Sequence, residues 1–155
     1  MRRPNIILAC AVAGAAALPA AASAQGGVAV AHASRAASVD LRHTSVGTIL
    51  TTASGVVLYE FTRDHAGQDS CVKISGCSSA WPALQTSGTP TAGAGVRSSL
   101  LSSIRLPSGA RQVTYAGHPL YLFSDDSTPG STSYVGVVEF GGAWDALNAS
   151  GGAVR

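Results

Sequence analysis

Short, largely apolar runs of β-branched and aromatic residues, bounded by turn residues, predict a β-rich chain, because such residues favour strands. Thr48–Thr52 and Val56–Thr62 are two such runs, rich in β-branched and aromatic residues, and Ala53–Gly55 between them is a predicted hairpin turn. Arg111–Tyr115 and Leu120–Phe123 repeat this layout across a turn of the type that Gly and Pro favour. The alternation places Tyr59 and Tyr121 on the predicted core face of each hairpin, together with four other residues: Val57, Phe61, Pro119 and Phe123.

Two further elements follow from the same pattern. Tyr134–Phe140 is a further predicted strand, which precedes Trp144. Val96–Ile104 carries apolar residues at helical intervals, so we expect a short amphipathic helix that ends before Pro107 and caps the sheet.

The chain also repeats itself. Leu58–Asp64 resembles Leu120–Asp126, and Trp81-Pro-Ala-Leu resembles Trp144-Asp-Ala-Leu. The two matches come in the same order, and the tyrosines of the two copies are separated by almost the same length of chain as the tryptophans. This near-constant offset predicts two homologous units, at about 43–90 and 104–152, that pack as one domain over residues 43–152. The predicted fold class is therefore all-β and mainly antiparallel, with two tandem hairpin-based repeats and a short helix between them.

The N-terminus has the composition of an export signal. A basic start, an uncharged Ala-rich run and Ala22-Ser-Ala24 before Gln25 predict a signal peptide over residues 1–24. Residues 25–42 show neither strand alternation nor a capped helical stripe and are predicted to be a flexible linker. Cys10 lies inside the apolar run, where lipoprotein cleavage would strand most of that run on the mature protein, so we do not expect lipid anchoring at Cys10. After signal removal no segment is apolar for long enough to form a transmembrane helix.

Composition excludes several classes of protein. Charged residues make up 12% of the 155 positions, and ten Lys and Arg face eight Asp and Glu. This balance excludes a disordered polyelectrolyte, a coiled coil and a basic nucleic-acid binder. Charge therefore indicates no partner, and nucleic acid is not expected to be one.

The cysteines favour a disulfide. With Cys10 removed, Cys71 and Cys77 form an even pair in an exported chain, where oxidising conditions allow a bridge. A soft-metal site formed by these two cysteines and His65 is the alternative, but the spacing fits neither zinc nor haem motifs.

These motifs resemble a bacterial family known as the secreted repeat of unknown function, whose members are described as predicted lipoproteins with a Tyr-x-aromatic-x-x-Asp motif. Tyr59, Phe61 and Asp64 match the motif in the first copy, and Tyr121, Phe123 and Asp126 match it in the second. The shared pattern also includes Cys71, Cys77, Trp81-Pro82, Gly117, Pro119-Leu120 and Pro129-Gly130. The resemblance covers residues 43–152 and implies an extracytoplasmic tandem-repeat domain, but it implies no activity.

The motif carboxylates allow three interpretations. Asp64 and Asp126 each follow a strand and are expected to accept backbone N–H groups of the next turn. With Asp69 and Asp125 they could instead supply oxygen ligands to Ca²⁺ or another metal, although neither loop has EF-hand spacing. As a flanking pair they could act as the acid and base of a hydrolase.

The remaining motif positions are expected to be structural. Trp81 and Trp144 are predicted to be core residues, with a surface platform for planar ligands as the alternative. Gly117 and Pro119 are expected to shape the second hairpin turn, in which His118 is expected to be exposed. The sequence thus predicts a secreted or cell-envelope, non-catalytic binding or structural module with an unknown envelope or extracellular ligand and no predicted cofactor. The alternatives are an extracytoplasmic metal-binding or redox-associated protein and a carboxylate-based hydrolase.

Overall fold

Strands dominate the computed structural model, which describes residues 35–155. The strands are β1 (Ser38–Thr44), β2 (Gly47–Thr52), β3 (Tyr59–Phe61), β4 (Gln85–Thr86), β5 (Thr91–Ala92), β6 (Leu101–Arg105), β7 (Arg111–Tyr115), β8 (His118–Pro119), β9 (Val137–Glu139), β10 (Gly142–Leu147) and β11 (Ala153–Val154). The other elements in this range are one short helix, α1 (Cys77–Ala80), and 3-10 turns at Cys71–Lys73 and Ser98–Leu100. The pairings are antiparallel except for β1 with β5, so the predicted all-β, mainly antiparallel class is confirmed.

The predicted signal peptide, Cys10 and residues 25–34 of the predicted linker lie outside the described residues. Within residues 35–155 no helix is long and apolar enough to cross a membrane.

The last part of the predicted linker is a strand. β1 begins at Ser38 and pairs with β2 from Val39 opposite Thr52 to Thr44 opposite Gly47. Val39 is fully buried between two half-buried neighbours, whereas Arg42 and His43 further along the strand are exposed. Strand pairing therefore begins inside the segment that was predicted to be a flexible linker.

The helix predicted over Val96–Ile104 is wrong. A single 3-10 turn is followed directly by β6, which pairs with β7 from Leu101 opposite Tyr115 to Arg105 opposite Arg111. The apolar spacing suited either element over so short a run, and hairpin pairing with β7 satisfies the backbone of residues 101–105, which include two adjacent serines with only modest helix propensity.

The central sheet interleaves the two predicted units. β10 from the second unit pairs with β3 from the first, through Trp144 opposite Phe61 and Ala146 opposite Tyr59. Tyr59 in turn lies opposite Tyr121, and each donates its backbone N–H to the other's carbonyl, at 3.0 and 2.9 Å. Segments of the first and second units thus alternate across this part of the sheet.

The same region departs from the predicted strands in two places. Leu120–Phe123 is not a regular strand: its described pairing is through bridges at Tyr121, and β8 covers only the two residues before it. The strand predicted over Tyr134–Phe140 shrinks to β9, three residues that pair with β10.

Both faces of the central sheet are buried. Val57, Tyr59, Phe61 and Tyr121 lie in one core cluster with both tryptophans. The alternate positions Leu58 and Leu120 lie in a second cluster, with these buried partners: Val39, Leu50, Leu84, Val96, Val113, Tyr115 and Leu147. Because the sheet has a core on each side, the sequence around Tyr59 reads as a nearly continuous apolar run.

Candidate functional site

The two Tyr-x-aromatic-x-x-Asp motifs meet at the centre of the molecule. Each ends in a tight turn, in which the Asp backbone N–H bonds to the carbonyl of the motif's aromatic residue: Asp64 to Phe61 at 2.9 Å and Asp126 to Phe123 at 3.1 Å. The turn carries each carboxylate back towards the sheet. The motifs therefore form a single cluster rather than two separate sites.

Within this cluster each tyrosine bonds to the aspartate of the other motif. The Tyr59 hydroxyl donates to Asp126 Oδ2 at 2.9 Å, and the Tyr121 hydroxyl donates to Asp64 Oδ2 at 2.7 Å. Sequence reasoning did not find these bonds, because their partners are 67 and 57 residues apart. The turn-capping role is also present, since Asp64 Oδ1 accepts the Ser70 N–H at 2.7 Å.

The tryptophans form the aromatic centre of the cluster. Trp81 and Trp144 are both fully buried, and their rings stack at 4.1 Å with an interplanar angle of 2°. Phe61 stacks on the outer side of this pair against Trp144, and Phe123 packs against Trp81. Neither indole face is open to solvent, so the rings are placed as core residues and not as a surface platform for planar ligands.

Burial sets the electrostatics of the four motif groups. It raises the pKa of the Asp64 and Asp126 carboxyls above the ordinary range, and hydrogen bonds from the tyrosines and nearby backbone N–H groups only partly oppose it. Burial, together with the adjacent carboxylate, also raises the pKa of Tyr59 and Tyr121 well above the ordinary 10.0. Both hydroxyls consequently remain protonated donors through the whole physiological range.

Alkaline conditions are expected to destabilise the protein through these two tyrosines. Above about pH 10 a tyrosine in the unfolded chain loses its proton, whereas the same tyrosine in the native protein keeps it. Each of the two tyrosines therefore lowers the free energy of unfolding by about 1.4 kcal/mol for every further pH unit. Below pH 10 the contribution is fully present. Urea unfolding midpoints measured at several pH values above 10 will show this decline. The Tyr59→Phe variant should lose stability with pH about half as steeply. An unchanged slope in Tyr59→Phe would contradict this assignment.

A second set of buried charges lies beside the cluster. Glu60 in β3 and Asp145 in β10 are directly opposite each other and almost fully buried. Glu60 pairs with His118, and Asp145 pairs with Arg155 at 3.0 Å. Burial raises the pKa of Glu60, and the pairing with His118 partly offsets this. His118, expected to be an exposed turn residue, is half-exposed and contacts the Glu60 carboxyl.

The hairpin turn that holds His118 closes a small cavity. Gly117 has a φ of +88°, which favours glycine, and Pro119 is buried as the second residue of β8. The cavity, of about 100 Å³, lies between this turn and the loop that contains Asp64 and His65. Its size suits a few water molecules or an ion rather than an organic substrate.

The candidate metal ligands do not form a complete set within residues 35–155. Asp69 Oδ1 accepts the Val72 N–H at 3.0 Å, and Asp125 is exposed. Cys71 and Cys77 are joined in a disulfide with their Cα atoms 5.4 Å apart, so neither offers a thiolate beside His65. Over residues 35–155 no group of three or more His, Cys, Asp or Glu side chains is placed to hold a metal ion.

The comparison with known families falls on the second motif. Residues 102–148 match the model of a family described as a secreted repeat of unknown function. The resemblance inferred from the motifs is thus confirmed for this segment, and the match is consistent with an extracytoplasmic location. No curated protein and no solved structure matches the chain.

The matched segment does not contain the partners of its own motif. Tyr121 and Asp126 lie inside residues 102–148, but Asp64 and Tyr59, to which they bond, lie outside. Trp144 likewise stacks on Trp81 and Phe61, also outside the match. Two tandem copies stay a prediction, which the equivalent contacts of the two motifs favour.

Proposed function

We propose that the protein is an extracytoplasmic, non-catalytic module whose paired motifs act as a structural lock and whose surface binds an envelope or extracellular ligand. The observation that carries this proposal is the exchange of hydrogen bonds between the motifs, Tyr59 to Asp126 and Tyr121 to Asp64. These bonds join segments distant in sequence across a buried core. Hydrogen bonds to a charged group contribute about 1.5–3 kcal/mol each, enough to matter in a small domain.

The hydrogen bonding of the motif carboxylates favours this role over acid–base catalysis. A hydrolase pair needs two carboxyl groups that face a substrate across a cleft. Here one oxygen of each carboxylate accepts a tyrosine hydroxyl, and Asp126 is 7% exposed. The cavity beside Asp64 is only about 100 Å³, much smaller than a sugar-binding cleft. The carboxylates are thus suited to accepting bonds from protein donors.

Two substitutions of Asp126 separate a lock from a catalyst. Asp126→Asn keeps an oxygen that can accept the Tyr59 hydroxyl, so we expect it to lose less than about 1 kcal/mol in urea unfolding, whereas Asp126→Ala should lose about 2–3 kcal/mol. A catalytic carboxyl would lose its activity in both variants. Equal stability of the Asn and Ala variants would contradict the lock.

Location and activity are tested on the protein recovered from its host. We expect it in the envelope or culture medium, with no turnover of glycoside or ester substrates. Recovery from the cytoplasm alone would contradict the location. Turnover that disappears in an Asp64→Asn/Asp126→Asn double variant would favour the hydrolase instead.

A further inference from the structure

The first half of the chain has an open strand edge at Ala83. Leu84 donates its N–H to the Leu120 carbonyl and Leu122 donates to the Pro82 carbonyl, both at 2.9 Å, so these two bonds flank Ala83 on the side of the Tyr121 segment. The Leu84 carbonyl accepts the Val113 N–H of β7 at 2.8 Å. Alternation along a strand directs the N–H and C=O of Ala83 to the opposite side. Within residues 35–155 these two groups make no hydrogen bond.

The corresponding edge in the second half is covered. Ala146 is the counterpart of Ala83 in the repeated Trp-x-Ala-Leu segment, and it pairs with β3 on one side and with β11 on the other, where it lies opposite Val154. β5 follows Ala83 at nearly the same offset as β11 follows Ala146, but β5 pairs with β1 instead of returning to Ala83. Among residues 35–155 no strand covers the edge at Ala83 in the way that β11 covers Ala146.

A groove lies along this open edge. It encloses about 380 Å³ between the disulfide loop and the turn that follows β6. Its lining is uncharged and combines the apolar residues Val72, Ala83, Leu106 and Pro107 with the polar residues Ser78, Gln85 and Ser108. Such a groove can accept the alternate side chains of an added strand while the edge binds its backbone.

The groove beside Ala83 adjoins a second groove that is lined by cationic residues. A second groove of about 270 Å³ shares Gln85 with the first and is lined by Arg35 and Arg111. Arg105 lies directly opposite Arg111 in the β6–β7 hairpin, a like-charge pair that destabilises a sheet. Among the described residues none of the three is paired with a carboxylate; Arg111 bonds to the Ser103 hydroxyl and Arg105 to the Gly109 carbonyl. The charge of this end is complementary to an acidic ligand.

We propose that the edge at Ala83 binds an extended acidic segment of a partner protein, which adds a strand to the sheet. Its apolar side chains occupy the groove beside Ala83, and its carboxylates lie over Arg35 and Arg111. By analogy with β11 on β10 the added strand runs antiparallel, so its acidic residues precede its apolar ones. This names the ligand class for the binding role proposed above and rests on that role.

The test is a titration of the full chain with a synthetic peptide, acetyl-Glu-Glu-Val-Thr-Val-Thr-amide. We expect saturable changes in the amide NMR signals of Ala83 and Gln85. Substitution of both groove arginines, Arg35→Gln/Arg111→Gln, should weaken binding about 3- to 10-fold, which is the effect of losing two exposed ion pairs. Arg97→Gln, at an exposed arginine outside both grooves, is the matched control and should change nothing.

Two further comparisons make the result specific. Ser78→Glu puts a negative charge in the groove and should weaken binding, whereas Ser79→Glu, on the exposed neighbouring residue, should not. A peptide with N-methylated valines should not bind, because it cannot complete the strand pairing.

The proposal is overturned if Ala83 and Gln85 show no saturable change, or if a Lys-Lys peptide binds equally well. It is also overturned if the same signals shift with protein concentration alone, which would assign the edge to a second copy of the chain. The lock between the motifs does not involve this edge, so a negative titration leaves the Asp126 result independent.

Discussion

Replacement of Trp144 by alanine is expected to destabilise the protein by about 3–5 kcal/mol, which is most of the stability of a small domain. Trp144 is fully buried and stacks on both Trp81 and Phe61, so its removal leaves a cavity at the centre of the aromatic cluster. The loss will appear as a lower urea midpoint in circular dichroism. Val138→Ala, at a side chain that is 72% exposed, is the control and should change stability by less than about 0.5 kcal/mol.

If the alanine variant does not fold, two more conservative substitutions, of Trp144 and Trp81 by phenylalanine, test the same packing. The Trp81 ring N–H donates to Glu139 at 3.0 Å, whereas that of Trp144 is buried and has no partner among residues 35–155. Phenylalanine removes both N–H groups, so Trp144→Phe also relieves an unsatisfied donor. We expect Trp144→Phe to be less destabilising than Trp81→Phe. The reverse order would contradict the assigned hydrogen bonding.

Separation of the two halves is expected to abolish cooperative folding. A fragment of residues 96–155 contains β10, but it lacks β3, which pairs with β10, and Trp81, which stacks on Trp144. A domain of about 60 residues is only marginally stable, and this fragment would also expose the buried surfaces that contact the missing half. Thermal unfolding followed by circular dichroism should show no cooperative transition for this fragment, whereas residues 35–155 should show one.

Mixing the fragments provides the complementary measurement. Fragments 35–95 and 96–155 together contain every partner of the interleaved sheet, so the mixture should recover a cooperative melt and the fluorescence of buried tryptophans. Cooperative unfolding of 96–155 by itself would show that the halves fold independently and would contradict the interleaved arrangement. Failure of the mixture to recover structure would indicate that the covalent link between the halves is required.

Features that depend on residues close together in the chain could be predicted from the sequence alone. The β-rich class, the turn at Gly55 and the positions of the two motifs follow from alternation and turn residues within a few positions. The close cysteine pair also indicated its bridge, which the structure contains. The family resemblance depended on the same local patterns, and the match over residues 102–148 confirms it there.

The long-range partners were decided only by the tertiary structure. The tyrosine of each motif bonds to the aspartate of the other because the chain returns through the middle of its own sheet, which no local pattern encodes. Strand pairing also decided against the helix predicted at Val96–Ile104, because the backbone of residues 101–105 pairs with β7. It also left Ala83, within residues 35–155, without the second strand partner that Ala146 has in β11. The sequence by itself determined which residues can form strands and which groups can donate or accept hydrogen bonds. The packing of distant strands determined the partner of each group, because burial and pairing depend on the whole fold.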